Sequence, residues 1–204
     1  MHHRYTRRQL LSGATVAAAA AAVPACSNPD EQSGERPPGV PLSPFGPEST
    51  AMEVTAGMDL TGKTAMITGC NSGLGFETMR VLALRGATVI GAARTLEKAE
   101  TACAAVEGNA IPVVCELTDL ATVAACGQAV RNLEVPLDML ILNAGIMALP
   151  ELEQVNGIEK QFFVNHIGHF TLTSYLLDQV QAAEQGRVVV VSSSGHAFAP
   201  DAGI

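Results

Sequence analysis

The chain has 204 residues, a formal net charge of −8, no tryptophan and an aromatic content of 4%. That acidic balance excludes nucleic-acid binding by bulk charge, and so few rings argue against base-stacking platforms. The apolar fraction of 48%, rich in Ala and Val, suits parallel strands buried beneath helices.

The N-terminus reads as an address. Thr6-Arg7-Arg8-Gln9-Leu10-Leu11 precedes the mildly apolar run Ala14–Val23, which is too short to span a bilayer as a helix. Paired arginines before such a run read as a twin-arginine export signal over residues 1–26, with the twin-arginine translocase as partner. Leu10 stands where Phe is common and Ser12 where Lys is common; a basic start before a low-complexity Ala tract is the alternative. Val23-Pro24-Ala25-Cys26 resembles a lipoprotein cleavage box, which would make Cys26 a lipid anchor; plain cleavage near Ala25 is the alternative. The expected location is therefore the periplasm or a membrane anchor. Residues 27–56 read as a linker rich in Pro, Ser and Gly, with too little apolar surface to order itself.

From residue 57 onward, strand and helix patterns alternate. Lys63–Thr68 is an apolar run ending at Gly69 and reads as a buried strand. Leu74–Arg85 reads as a helix with Leu74, Met79, Leu82 and Ala83 near helical spacing. Ala87–Ala92 is a second strand. Thr95 caps a helix running to Val106, ahead of Gly108. Ala110–Cys115 is a third strand, placed near a sheet edge by Pro112. Leu120–Leu133 is a helix, Leu137–Leu142 a fourth strand, Gly157–Ala183 a long helical stretch with a bend, and Gly186–Ser192 a fifth strand. The five cysteines form no CxxC pair and no metal-binding spacing; Cys103, Cys115 and Cys126 fall on apolar faces. The alternation predicts an α/β, Rossmann-type, doubly wound parallel sheet of about five strands in the order 3-2-1-4-5, with helices in layers on both faces. A ligand then sits at the carboxyl ends of the strands, where the order reverses between the first and fourth.

Thr68-Gly69-Cys70-Asn71-Ser72-Gly73-Leu74-Gly75 lies at one of those ends. Phosphate binding needs backbone N–H groups that a ligand can approach, helped by the positive end of a helix. Gly69, Gly73 and Gly75 remove side chains between a strand and a helix, in the spacing GxxxGxG.

This loop resembles that of the short-chain dehydrogenases/reductases. Leu142-Asn143-Ala144-Gly145 resembles the family's NNAG motif. Phe163-Val164-Asn165-His166-Ile167-Gly168-His169-Phe170 and Arg187–His196 are similar to stretches of its retinol-dehydrogenase-like and WW-domain-oxidoreductase-like branch. The resemblance covers residues 60–198. It implies that Gly69, Asn71, Ser72, Gly73, Leu74 and Gly75 face the pyrophosphate and adenosine ribose. Arg94 follows the second strand, where an acid would favour NAD and an arginine can pair with a 2′-phosphate, so NADP is expected over NAD. Glu116 and Leu117 stand where the family has Asp-Leu near the adenine, the extra methylene moving the carboxylate by about 1.5 Å; Asp119 then caps the next helix. Asn143, Ala144 and Gly145 would pass beside the cofactor. Asn165 would distort its helix and free a carbonyl for a water in the proton relay, and Ser193 would bind the substrate oxygen. His166 and His169 read as packing or helix-surface residues.

The family's proton donor is a tyrosine followed four residues later by a lysine. The tyrosines here are Tyr5 and Tyr175, and neither begins a YxxxK. The domain over 57–204 is therefore expected to be partial, a truncated or split reductase with little turnover. Its fifth strand would show an apolar edge at Val188–Val191. Two readings follow: an exported NAD(P)-dependent oxidoreductase acting on a small apolar alcohol or carbonyl, or a non-catalytic dinucleotide-binding or interaction module. A homo-oligomer through the long helix is compatible with either.

Overall fold

The structure, a computed structural model, describes residues 43–193. The twin-arginine segment, Cys26 and most of the linker fall outside the described residues. Residues 45–193 belong to one compact unit. Its first element lies inside the segment assigned to the linker: a one-turn helix α1 (Ala51–Val54). A capping box explains that local order. Thr50 Oγ1 accepts from the Glu53 amide, and the Glu53 carboxylate accepts from the Thr50 amide and hydroxyl. Arg85 then ties the turn down through Thr55 Oγ1 and the Met52 carbonyl.

The alternation follows: β1 (Thr64–Thr68), α2 (Gly73–Leu84), β2 (Thr88–Ala93), α3 (Leu96–Ala104), β3 (Asn109–Val114), α4 (Leu120–Arg131) and β4 (Met139–Leu142). After β4 come a two-strand hairpin, β5 (Gln154–Val155) and β6 (Ile158–Glu159), then a continuous helical run. That run comprises α5 (Lys160–Phe162), a π-helical turn (Phe163–Gly168) and α6 (His169–Ala182), before β7 (Arg187–Val190). The large sheet has the order β3-β2-β1-β4-β7, all pairs parallel. This is the expected 3-2-1-4-5 topology; the hairpin merely advances the number of the fifth long strand.

Strand pleating divides the core between two layers of helices. Ala65 and Ile67 of β1 pack with Met79, Ala83, Ala99 and Cys103 beneath α2 and α3. Met66, Ile90 and Leu140 face the other way, onto Val123 and Cys126 of α4 and Leu172 and Leu176 of α6. Every residue of β1 is buried because helices cover both its faces. Pro112 sits on the edge strand β3, where a missing ladder donor costs least. Thr95 and Asp119 cap their helices through the amides of Lys98 and Ala121. Cys70, Cys103, Cys115 and Cys126 are buried free thiols.

Two expectations change. The long helix begins at Lys160, not Gly157, because Asn156-Gly157 makes the turn of the hairpin, with φ of 53° and 79°. An Asn-Gly pair is the preferred centre of a two-residue hairpin turn, since both residues must be left-handed. Leu74 does not join the apolar face of α2: it is 73% exposed, in the helix's first turn beside the site. At the other side of the sheet, all four residues of β7 are exposed, with Val190 at 64%.

Candidate functional site

The strands β1, β2, β3 and β4 end on the same side of the sheet, and a cleft of about 480 Å³ opens there. Gly69, Asn71, Ser72 and Leu74 line it from the loop after β1, and Ala93 and Arg94 from the end of β2. Glu116, Leu117 and Thr118 follow β3, while Asn143, Ala144, Gly145 and Ile146 follow β4. Lys160 and Val164, one turn apart on the long helical run, complete the lining.

The glycine loop has the geometry its composition requires. Gly69 adopts φ 73°, left-handed backbone that a β-carbon disfavours. A Cβ on Gly75 would strike the Gly69 carbonyl oxygen and come within 2.5 Å of Asn143 Nδ2, so the start of α2 can press directly against loop and strand. Ser72 is the N-cap of α2, yet its side chain makes no capping bond. The first-turn amides of a twelve-residue helix, starting at Gly73, therefore remain available at the mouth of the cleft, where the helix dipole favours negative charge. Arg94 is exposed beside them and, among the described residues, makes no ion pair or hydrogen bond. The site thus presents amides and an unpaired guanidinium to an anion.

Glu116 serves its own loop. Its Oε1 accepts from Thr118 N at 3.0 Å and Thr118 Oγ1 at 2.8 Å, while Thr122 Oγ1 accepts from the Glu116 amide and donates to its carbonyl. Leu117 is 4% exposed and packs against Gly168 of the π turn.

Asn143 joins β4 to β1, Nδ2 donating to the Thr68 carbonyl at 3.0 Å. The centre of the junction is a residue that sequence reasoning passed over. Thr68 Oγ1 accepts from the amides of Asn143 and Ala144, each at 3.0 Å, and lies 2.9 Å from His169 Nε2. Asn165 sits inside the π turn. Its side chain bonds both backbone groups of Ile146, accepting from N and donating to O at 2.9 Å, and thereby holds the segment after Gly145. The expectation of a distorted helix is met, but the Asn165 carbonyl faces His169 Nδ1 at 3.1 Å. His166 lies on the surface, stacked between Phe162 and Phe170 with ring centroids 5.1 and 6.4 Å away. His169 is 4% exposed, and burial pushes its imidazole below the ordinary histidine value against the opposing effect of the Asn165 carbonyl. Ser193 is exposed beyond β7 and is not part of the cleft lining.

The model of the short chain dehydrogenase family matches residues 63–202. The chain belongs to that family. Human WW domain-containing oxidoreductase is 41% identical over 155 residues, 74% of this chain and 37% of the relative. Two solved structures are similar to this chain. The Brucella melitensis 3-ketoacyl-(acyl-carrier-protein) reductase complexed with NADH gives a TM-score of 0.60 at 27% identity, over 69% of this chain and 60% of that one. The Pseudomonas aeruginosa RhlG/NADP active-site complex gives 0.57 at 26% identity, over 64% and 53%. The chain therefore spans little more than a third of the human relative.

Ten of the residues singled out for binding line the cleft; Gly73 and Gly75 shape it from within α2. Ala93, Thr118, Ile146, Lys160 and Val164 of the lining, and Thr68 behind it, were missed. Val164 and Lys160 were findable from their helical spacing, one and five residues before Asn165. Thr68 opens the glycine-loop motif, but nothing local marked its bonding role, since its partners lie 75, 76 and 101 residues away.

Proposed function

We propose that this chain binds a nicotinamide dinucleotide in the cleft, NADP in preference to NAD, as the cofactor-binding part of an oxidoreductase of alcohols or carbonyls. The observation that carries the reading is the uncapped amino end of α2 beside the unpaired Arg94, at the carboxyl ends of the strands. The residues fit the group: Gly69 and Gly75 bring backbone where a Cβ would intrude, and anions are favoured there. The amides of Gly73, Leu74 and Gly75 would hold the pyrophosphate, Arg94 the 2′-phosphate, and Leu117 with Val164 the apolar adenine. The dinucleotide supplies or accepts a hydride when bound. Asn165 holds the backbone after Gly145, and Ser193 is the proposed hydrogen-bond donor to the substrate oxygen.

Titration of the full chain with NADPH and NADH tests the reading. Tighter NADPH binding is expected, and Arg94→Ala should narrow the preference by about tenfold, the loss of one charged pair in a partly wet site. Equal binding of both by the wild type would sink the NADP assignment; no binding of either would sink the reading. No YxxxK occurs in the 204 residues, so carbonyl reduction by this chain alone is expected to be slight.

We further propose export by the twin-arginine route, resting on Arg7 and Arg8 before the Ala14–Val23 run, with Cys26 as the anchor. Replacing both arginines with lysine should retain the protein inside the cell; unchanged fractionation would overturn this.

A further inference from the structure

We propose that His169 is a positioning residue: a neutral imidazole that couples the glycine loop to the turn carrying Asn165. A threonine hydroxyl has two acceptor lone pairs and one proton. Both acceptor sites of Thr68 Oγ1 are taken by the amides of Asn143 and Ala144 at 3.0 Å. Its proton must therefore point at His169 Nε2, 2.9 Å away, so Nε2 is the acceptor. At the other side of the ring, Nδ1 meets the Asn165 carbonyl at 3.1 Å, and a carbonyl only accepts. Nδ1 carries the hydrogen. One tautomer satisfies both contacts: Thr68 O–H donates to Nε2, and Nδ1–H donates to Asn165 O.

The π turn makes the second contact available. In an α-helix the Asn165 carbonyl would accept the His169 amide. Here the His169 amide bonds the His166 carbonyl instead, and the Asn165 oxygen takes the imidazole of the same residue. The ring thus bridges the last residue of β1, adjoining Gly69, and the residue whose side chain clamps Ile146. Glycine loop, β4 loop and π turn become one hydrogen-bonded unit around a buried ring.

Protonation would break it. An imidazolium Nε2–H would face an oxygen already accepting two bonds, and a bond to the loop would be lost. The nearest polar groups on the surrounding elements, namely Thr68, Asn143, Asn165 and the Thr173 hydroxyl on the His169 carbonyl, do not titrate. The titratable groups on those elements are engaged elsewhere. Cys126 contacts Cys115, Arg131 reaches Asp178 and the Tyr175 carbonyl, and Glu116 binds Thr118. Tyr175 packs on Gly127, His166 stacks between Phe162 and Phe170 on the surface, and Cys70 is a buried thiol within the glycine loop itself.

Dinucleotide binding, on which part of the test rests, is the function proposed above, so the first measurement is made without cofactor. Long-range proton–nitrogen spectra of the full chain should show His169 protonated at Nδ1 only, unchanged as pH falls through the ordinary histidine range. Protonation at Nε2, or titration in that range, would overturn the proposal. The second measurement separates the two bonds. His169→Gln can accept from Thr68, and His169→Asn can donate to Asn165, each losing the other contact. Each should weaken NADPH binding about tenfold at pH 7, the loss of one buried hydrogen bond. The binding lost by the wild type on further acidification should be absent from both variants. Wild-type affinity in either variant, with folded circular dichroism, would overturn the coupling. If the wild type binds no dinucleotide, the proposed function fails, and the tautomer spectrum alone decides on His169.

Discussion

Strands β1 and β4 are joined at both ends, by opposite chemistry. At the amino end the tie is charged: Asp138 accepts from Lys63 Nζ at 3.0 Å and from the Thr64 amide at 2.9 Å. At the carboxyl end it is neutral: Thr68 Oγ1 gathers two amides and an imidazole. The charged tie lies at the rim, where the Lys63 side chain is 41% exposed and water and salt screen the pair. The neutral tie is buried, where a charge would cost more than it returns and each unmet donor costs its full desolvation. The same strand pair thus pins itself with ions where solvent can reach. Where the loops beside the cleft are held together, it uses uncharged groups.

The largest break in that comparison should come from Thr68→Val. It orphans two amides and the imidazole, and a loss of about 3–5 kcal/mol is expected by urea denaturation, with Thr68→Ser recovering most of it. A loss near that of a surface change would mean that the buried tie is not the stronger. Gly75→Ala should come next. Its Cβ meets the Gly69 carbonyl, so the loop must shift, costing about 1–3 kcal/mol and most of the dinucleotide affinity read by calorimetry. Asp138→Asn should be smaller, about 1 kcal/mol, because its oxygen can still accept from Thr64; the loss should shrink in molar salt, which would leave Thr68→Val unmoved.

Acid distinguishes the two ends most finely. Burial pushes His169 below its unfolded value of 6.5. The unfolded chain then binds the proton first, and this contribution is complete above 6.5 and declines as pH falls toward the folded value. For Asp138, burial raises the carboxyl, but the Thr64 amide and Lys63 outweigh it and hold it below 3.8. That contribution persists above 3.8 and is lost as pH falls through the lower folded value. Stability against pH should therefore step down twice. The first step should vanish in His169→Gln and the second in Asp138→Asn.

How much of this was legible follows from the range of each interaction. The strands showed as apolar runs and the caps at Thr95 and Asp119 as local side-chain signals, because strand burial and helix capping are decided within a few residues. The glycine loop showed for the same reason. The hairpin at Asn156-Gly157 was equally local, and the helical pattern beyond it obscured the signal. Leu74 misled because periodicity says which face a residue occupies, not whether anything covers it. Glu116 lines the cleft where the adenine was expected, and the sequence did not show that its carboxylate is also held by Thr118, two residues away.

By itself the sequence determined the order of elements, the parallel topology and the position of a glycine loop after the first strand. Each depends on neighbours in the chain and on packing rules that leave few alternatives. Tertiary structure alone decided that His169, one of two histidines in a single helix turn, is the buried one, and that Thr68 binds it. The proton positions on that ring follow from three partners brought together from β1, the β4 loop and the π turn, and no local pattern encodes a meeting of segments about a hundred residues apart.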